Sequence, residues 1–346
     1  MSNNLQTLIP LSGLLPEEIH SIIPDEPYYR AKQIFKWISE GVTSFNKMTN
    51  LSASLRDELS SKYTIRSSRV EQKLVDTDGT IKLQLELHDN YCVETVLLID
   101  SEKRKTACVS CQVGCAMGCA FCKTGTLGLA RNLTSDEIVE QFYFLEHEAG
   151  KLDNIVFMGM GEPMHNLESI RKCIAVLTHS DGRNLSSRRI TISTAGIING
   201  IYDLANNGPS VRLAVSLTTA DPVLREKLMP VTKGNPLHDL KNAIGYFIEK
   251  TGKRCTLEAA LLGGVNTGND QAELLASFAK GLDTHVNVIP WNPVNDLPFS
   301  EPSRNECFRF IQKLEELGVN VTMRMKRGEK IGGACGQLGK IVVEKK

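Results

Sequence analysis

The segment CVSCQVGCAMGCAFCKTG (108–125) decides how this chain folds and what it holds. Five of the ten cysteines fall between Cys108 and Cys122. Within it Cys115, Cys119 and Cys122 form C-x3-C-x2-C, with Phe121 just before the last cysteine. Three thiolates can hold three irons of a [4Fe–4S] cluster and leave the fourth iron open. Gly114, Gly118 and Gly125 let the backbone wrap a bulky group. Cys108-x2-Cys111 and Cys119-x2-Cys122 also resemble zinc knuckles, but only seven residues separate the pairs, short of the roughly 15–20 of a zinc ribbon. A redox C-x-x-C suits so many neighbouring thiols poorly. Cys92, Cys173, Cys255, Cys307 and Cys335 lie scattered, and any one of them alone reads as a small buried hydrophobe.

Downstream of the cysteines, strand and helix patterns alternate. Strands are expected at 106–110, 154–158, 189–193, 212–217, 256–262 and 285–290. A capping box at Thr134 and Glu137 opens one of the intervening helices. Six consecutive βα units imply an α/β fold with a parallel sheet, either open or a partial (β/α)6 barrel. Functional groups in such folds gather where strands end, which is where the cysteine motif sits. Upstream, 82–88 alternates with period two, Asp78-Gly79 is a hairpin signal, and 91–99 is a further strand. Further back, 28–40 places Ile34, Trp37 and Ile38 at helical spacing with Arg30, Lys32 and Lys36 interleaved, and a second short helix runs through Leu55 and Leu59. The expected division is a helical, RNA-binding-like unit at 1–66, a β extension at 67–104, the barrel at 105–325, and a cysteine-bearing loop and tail at 326–346.

Composition narrows the class. The 346 residues carry 40 basic and 40 acidic side chains, 23% charged and 41% hydrophobic, which argues against wholesale disorder. No apolar run is long enough to span a bilayer, and no secretory leader pattern precedes Glu17. A reducing, cytoplasmic setting is therefore expected, where many cysteines do not mean a disulfide scaffold. Charge is segregated: 28–66 holds seven Lys/Arg and three acids, 101–132 five and one, and 324–346 seven and two. These segments are either solvated faces or one composite phosphate-binding surface.

The cysteine motif after the first strand of a (β/α) series resembles the radical S-adenosylmethionine (SAM) superfamily. Gly161-Glu162-Pro163 is similar to its GEP motif. With ETV (94–96), GMGEP (159–163), STAG (193–196), SL (216–217), PWNP (290–293) and ACGQL (334–338) in order, nearly the whole chain resembles the RlmN family of adenine-C2 methyltransferases of 23S ribosomal RNA and transfer RNA. The sibling Cfr-type C8 methyltransferases usually have Ala after the GE and lack the Trp of PWNP, so Pro163 and Trp291 favour C2. The resemblance implies that Cys115, Cys119 and Cys122 hold the cluster and that Gly161, Glu162, Ser193, Ser216, Leu217, Thr218 and Asn292 line the SAM site. It also implies that Cys335 carries the methyl group, that Cys108 resolves the adduct through a Cys108–Cys335 disulfide, and that Glu94 or Cys108 accepts the C2 proton. Two SAM molecules per methylation, RNA partners, an electron donor of flavodoxin or ferredoxin type and a monomer are further implied. Direct SAM methylation fails at adenine C2 because an electrophilic methyl group would meet an electrophilic carbon. Carrying the methyl group on a thiol and transferring it by radical chemistry removes that mismatch.

Three departures stand out. Thr218 replaces a common His, Cys111 a usual Ser, and Gly332-Gly333 an Asp-Ala pair, which leaves the last loop freer. Two rival functions are C8 methylation and a non-catalytic iron–sulfur RNA-binding protein; mass analysis of digested RNA separates the first, anaerobic iron reconstitution the second. If the N-terminal basic face meets RNA, Lys32→Glu with Lys36→Glu will weaken RNA binding and flatten its salt dependence by about one unit of slope per lost phosphate contact. Unchanged affinity and slope in a salt-titrated binding assay exclude that face.

Overall fold

Alternating apolar strands and amphipathic helices assemble in this computed structural model, which describes residues 8–342, into one ten-stranded sheet in strict sequence order. Its strands are β1 (Arg69–Val75), β2 (Ile81–Glu86), β3 (Cys92–Ile99), β4 (Lys105–Cys108), β5 (Asn154–Phe157), β6 (Ile190–Thr194), β7 (Arg212–Ser216), β8 (Cys255–Leu261), β9 (Thr284–Pro290) and β10 (Val321–Met323). From β4 to β10 every pairing is parallel. All six expected barrel strands are present within two residues of their expected ends, and β10 adds a short seventh. The period-two region is continuous with them: β1, β2 and β3 pair antiparallel, and β3 pairs antiparallel with β4, Val96 opposite Cys108. One sheet therefore runs through both the β extension and the partial barrel.

Helices cover the outer face of the parallel part because each presents an apolar stripe to it. Ser135–Ala149 buries Ile138, Val139, Phe142 and Leu145 and begins with the expected capping box at Thr134 and Glu137. Arg131 doubles that cap with two bonds to the Glu137 carboxylate, at 2.7 and 2.8 Å. The remaining covering helices, at Leu167–Thr178, Ile198–Asn207, Leu237–Thr251, Asn269–Ala279 and Arg304–Glu316, repeat the arrangement. No helix among the described residues is long and apolar enough to cross a membrane.

The N-terminal unit has helices at Pro16–Ile22, Tyr28–Ser39 and Ala53–Lys62. The buried stripe of the second is Ala31, Ile34, Phe35 and Ile38. Trp37 sits at its margin, Nε1 donating to Asn50 Oδ1 at 2.7 Å. Its basic side chains are partly engaged within the protein: Lys32 pairs with Asp181 at 2.9 Å, and Arg30 donates to the Asn50 carbonyl at 2.7 Å. Residues 1–7 of this unit and 343–346 of the tail, with Glu344, Lys345 and Lys346, lie outside the described residues.

One buried carboxylate joins this unit to the barrel. Glu140, fully buried on the Ser135–Ala149 helix, accepts from the Ser67 and Ser68 amides at 2.8 Å each, from Ser12 Oγ at 2.7 Å, and from Ser68 Oγ. Removing it strands the buried Ser68 amide and the half-buried Ser67 amide. Glu140→Ala is therefore expected to cost about 3 kcal/mol, with faster amide exchange at Ser67 and Ser68; equilibrium urea unfolding and hydrogen exchange measure both.

Candidate active site

The cysteine loop leaves the sheet by a hairpin absent from the sequence-based expectations. Past the end of β4, Gln112–Cys115 pairs antiparallel with Gly128–Asn132. Gly114 has φ +78°, and a Cβ there would lie 2.0 Å from the Gly128 carbonyl, so only glycine lets the two strands close. The excursion carries Cys115, Cys119 and Cys122 over the C-terminal ends of the parallel strands, where they line a cavity of about 190 Å³. Gly161, Glu162, Ser193, Ser216, Thr218, Asn292 and Cys335 line the same cavity. A cluster's thiolates each take a different iron.

The residues expected to line the SAM site come from the C-terminal ends of β5, β6, β7 and β9. Glu162 follows β5 and is buried; its oxygens accept from Met164 N at 3.0 Å and Ala195 N at 2.7 Å, and its own amide donates to Gln112 Oε1 at 2.8 Å. Burial raises its pKa despite those donors. Gly161 holds φ +106°, and a Cβ there would press within 2.6 Å of Gln112. Ser193 and Ser216 stand at the ends of β6 and β7. Thr218 holds φ +62°, an uncommon conformation for a β-branched residue. Leu217 differs from the expectation: its side chain is in the core, its amide donates to the Glu258 carbonyl at 2.9 Å, and its carbonyl accepts from Arg225. Asn292 Nδ2 donates to the Cys335 carbonyl at 3.1 Å, while its buried Oδ1 has no partner. An unpartnered buried acceptor is rare and fits a ligand donor in that cavity.

A second cavity, about 440 Å³, adjoins the first. Cys122, Asn292, Arg324 and Cys335 line both; Cys108, Asp100, Ser101, Lys326 and Arg327 line the second. Cys108 is buried, which pushes its thiol up to about 12; the neighbouring Cys335 raises it and Arg324 opposes. All ten cysteines are free, so the Cys108–Cys335 disulfide implied by the resemblance is not formed in this structure. Cys111 is buried in the core: its amide donates to the Met160 carbonyl at 2.8 Å, its carbonyl accepts from Asn166, and its thiol lines neither cavity.

Glu94 is buried on β3 but outside both linings. Its carboxylate lies 2.9 Å from Lys82 Nζ and accepts from the Gly339 and Lys340 amides. The Gly332-Gly333 pair is held rather than loose: Gly332 accepts from Lys82 at 3.2 Å, and Gly333 N donates to the Gly328 carbonyl at 2.8 Å. Sequence reasoning missed Arg324, Glu258 and Arg225. Arg324 faces both thiols and Glu258, and the Cys335 charge chiefly raises its pKa. Glu258 lines the smaller cavity, and burial raises its pKa; an acid inside the apolar run of β8 was its only signal. Arg225 is fully buried, with its guanidinium bonded to Leu217 O, Thr232 Oγ1 and Ala195 O and no carboxylate among its hydrogen-bond partners; burial lowers its pKa to about 10.

Known proteins show the same design. Residues 109–275 match the radical SAM superfamily, and residues 20–65 match the ribosomal RNA large subunit methyltransferase N-terminal domain. The chain is similar to the probable dual-specificity RNA methyltransferase RlmN of Treponema denticola, with 58% identity over 95% of both chains. It is also similar to the protein of that name from Geobacillus thermodenitrificans, with 43% identity over 90% of this chain and 87% of that one. A radical SAM methyltransferase from Sphaerobacter thermophilus superposes with a TM-score of 0.92 at 40% identity, covering 95% of this chain and 99% of the other. The chain belongs to the RlmN family of radical SAM methyltransferases, enzymes that use a [4Fe–4S] cluster and SAM.

Proposed function

We propose that this enzyme methylates adenine C2 in 23S ribosomal RNA and in transfer RNA, there on the adenosine 3′ of the anticodon. One observation carries the reading: Cys335 lies where the two cavities meet, with Cys115 and Cys119 lining only the smaller, Cys108 only the larger, and Cys122 both. A methyl carrier needs that position, because it must be loaded on one side and unloaded on the other. Trp291, buried and donating from Nε1 to the Phe121 carbonyl at 2.8 Å, ties PWNP to the cysteine loop, and with Pro163 it supports C2 over C8.

Cys115, Cys119 and Cys122 would hold the cluster, and Gly161, Glu162, Ser193, Ser216, Thr218 and Asn292 would hold SAM. Bound together, these groups supply both the methyl group and a hydrogen-abstracting radical. The chain's own residues do the rest. Cys335 carries the methyl group as a thioether; that group gives up one hydrogen atom to the radical, and its carbon becomes bonded to adenine C2. The thiolate of Cys108 then attacks the Cys335 sulfur. The sulfur–carbon bond breaks, its electrons stay with the base, whose methylene carbon takes up a proton to become the new methyl group, and a Cys108–Cys335 disulfide remains. A dithiol reductant restores the two thiols; a flavodoxin- or ferredoxin-type donor supplies the initiating electron, which the base adduct gives back as it loses the C2 proton. Glu94 reaches the C2 proton only when the tail amides of Gly339 and Lys340 leave its carboxylate. RNA adenines buried by stacking must be exposed to enter the larger cavity, whose lining supplies Arg324, Lys326 and Arg327. The protein acts as a monomer in the cytoplasm on this reading.

Cys335→Ala is expected to abolish RNA methylation, whereas Cys108→Ala accumulates a covalent protein–RNA adduct; mass spectrometry of digested RNA and denaturing gels read the two. Continued 2-methyladenosine formation by Cys335→Ala would falsify the carrier role. The pH dependence follows from Cys108. With its thiol pushed up to about 12, it is protonated at neutral pH, and the attacking thiolate fraction grows about tenfold per pH unit below that value. Single-turnover decay of the adduct should therefore accelerate from pH 7 to 9; a flat profile excludes Cys108 deprotonation as the limiting event.

A further inference from the structure

The loop that bears Cys335 is tied down on both sides by one ion pair whose lysine, Lys82, the methyl-transfer chemistry leaves unused. Gln84 on β2 lies directly opposite Glu94 on β3, so Lys82, two residues earlier on β2, is the diagonal neighbour of Glu94 on the same sheet face. Lys82 Nζ sits 2.9 Å from Glu94 Oε1, and the two side chains are 13% and 5% exposed. Lys82 also donates to the Gly332 carbonyl at 3.2 Å, three residues before Cys335. Glu94 Oε2 accepts from the Gly339 and Lys340 amides at 2.8 and 3.1 Å, just after it.

Strict alternation along β2 would normally turn Lys82 toward water. Here the C-terminal segment covers that face. A buried carboxylate without its cation is costly, so Lys82 fixes the charge on which the Gly339 and Lys340 amides depend. The segment's other ties, Asn292 Nδ2 to the Cys335 carbonyl, Lys123 N to the Gly336 carbonyl, Gln337 Nε2 to the Pro293 carbonyl, Thr124 Oγ1 to the Leu338 carbonyl and Cys92 N to the Ile341 carbonyl, leave the Gly339 and Lys340 amides to Glu94.

We propose that Lys82 is a positioning residue for methyl transfer, forming with Glu94 a buried clasp that holds Cys335 at the junction of the two cavities. The clasp rests on the methyl-carrier reading for its purpose but not for its existence. Hydrogen exchange on the full chain tests the clasp itself. In Lys82→Met the Gly339 and Lys340 amides should exchange at least about tenfold faster, while β5 keeps its protection and Lys82→Arg restores the slow rates. Unchanged exchange in Lys82→Met overturns the clasp. Should that variant not fold, Lys82→Gln is measured in the same way.

The second readout separates positioning from general weakening. Reconstituted Lys82→Met should cleave several-fold more SAM per RNA methylated, because the SAM-site residues stand on other strands while the carrier thiol is displaced. A parallel fall in cleavage and methylation, with their ratio unchanged, overturns the positioning role. A wild-type chain that methylates no RNA would defeat the functional reading alone, since the exchange experiment still decides the clasp.

Discussion

The structure depends on closing the C-terminal segment against the cysteine loop. The Lys123 amide donates to the Gly336 carbonyl at 2.8 Å, and Thr124 Oγ1 donates to the Leu338 carbonyl at 2.5 Å. Both contacts lie within two residues of Cys122, so they help set where Cys335 stands relative to the proposed cluster ligands. Around that seam the sheet supplies rigid support. Parallel strands end beneath the cysteine loop, and the antiparallel strands β1–β3 extend the sheet under the returning tail, where Cys92 N bonds to the Ile341 carbonyl at 3.0 Å. The β extension thus gives the last loop a surface to dock on.

Burial governs the electrostatics of the site. Cys108 and the cysteines of the loop are pushed toward the neutral thiol by desolvation. Metal coordination reverses that preference, because a ligating thiol gives up its proton. Two guanidiniums, Arg324 half-buried and Arg225 fully buried, flank the same region. Arg324 faces Cys108, Cys335 and Glu258, and Arg225 bonds mainly to backbone carbonyls near Cys119. Fixed positive charge beside a group of thiols lowers the cost of making them anionic. The site is arranged to accept negative charge that the bare chain does not carry.

Much was legible beforehand because it is local. The six parallel strands follow from short apolar runs separated by helical patterns, and the capping box at Thr134 and Glu137 was visible as a spacing. Residues predicted to surround SAM do share one cavity, apart from Leu217, because each sits at a strand end where a parallel sheet presents its residues together. Leu217 fell outside because one residue along a strand turns the side chain to the opposite face. The hairpin that lifts the cysteine loop went unseen: Gly128–Asn132 is short and exposed, and only its pairing with Gln112–Cys115 makes it a strand. Charge counting pointed to Lys32, yet Asp181, distant in sequence, partners it.

From its sequence alone the chain specifies its chemistry: C-x3-C-x2-C, GEP and the cysteine of ACGQL are patterns of residue type, and reactivity follows residue type. Tertiary structure decided what those groups face. It placed Cys108 and Cys335 along one cavity, turned Glu94 away from that cavity toward the Gly339 and Lys340 amides, and covered Lys82 although its strand alternates as if it faced water. The physical reason is that a side chain's environment is set by whichever distant segment packs against it, and no local period records that choice.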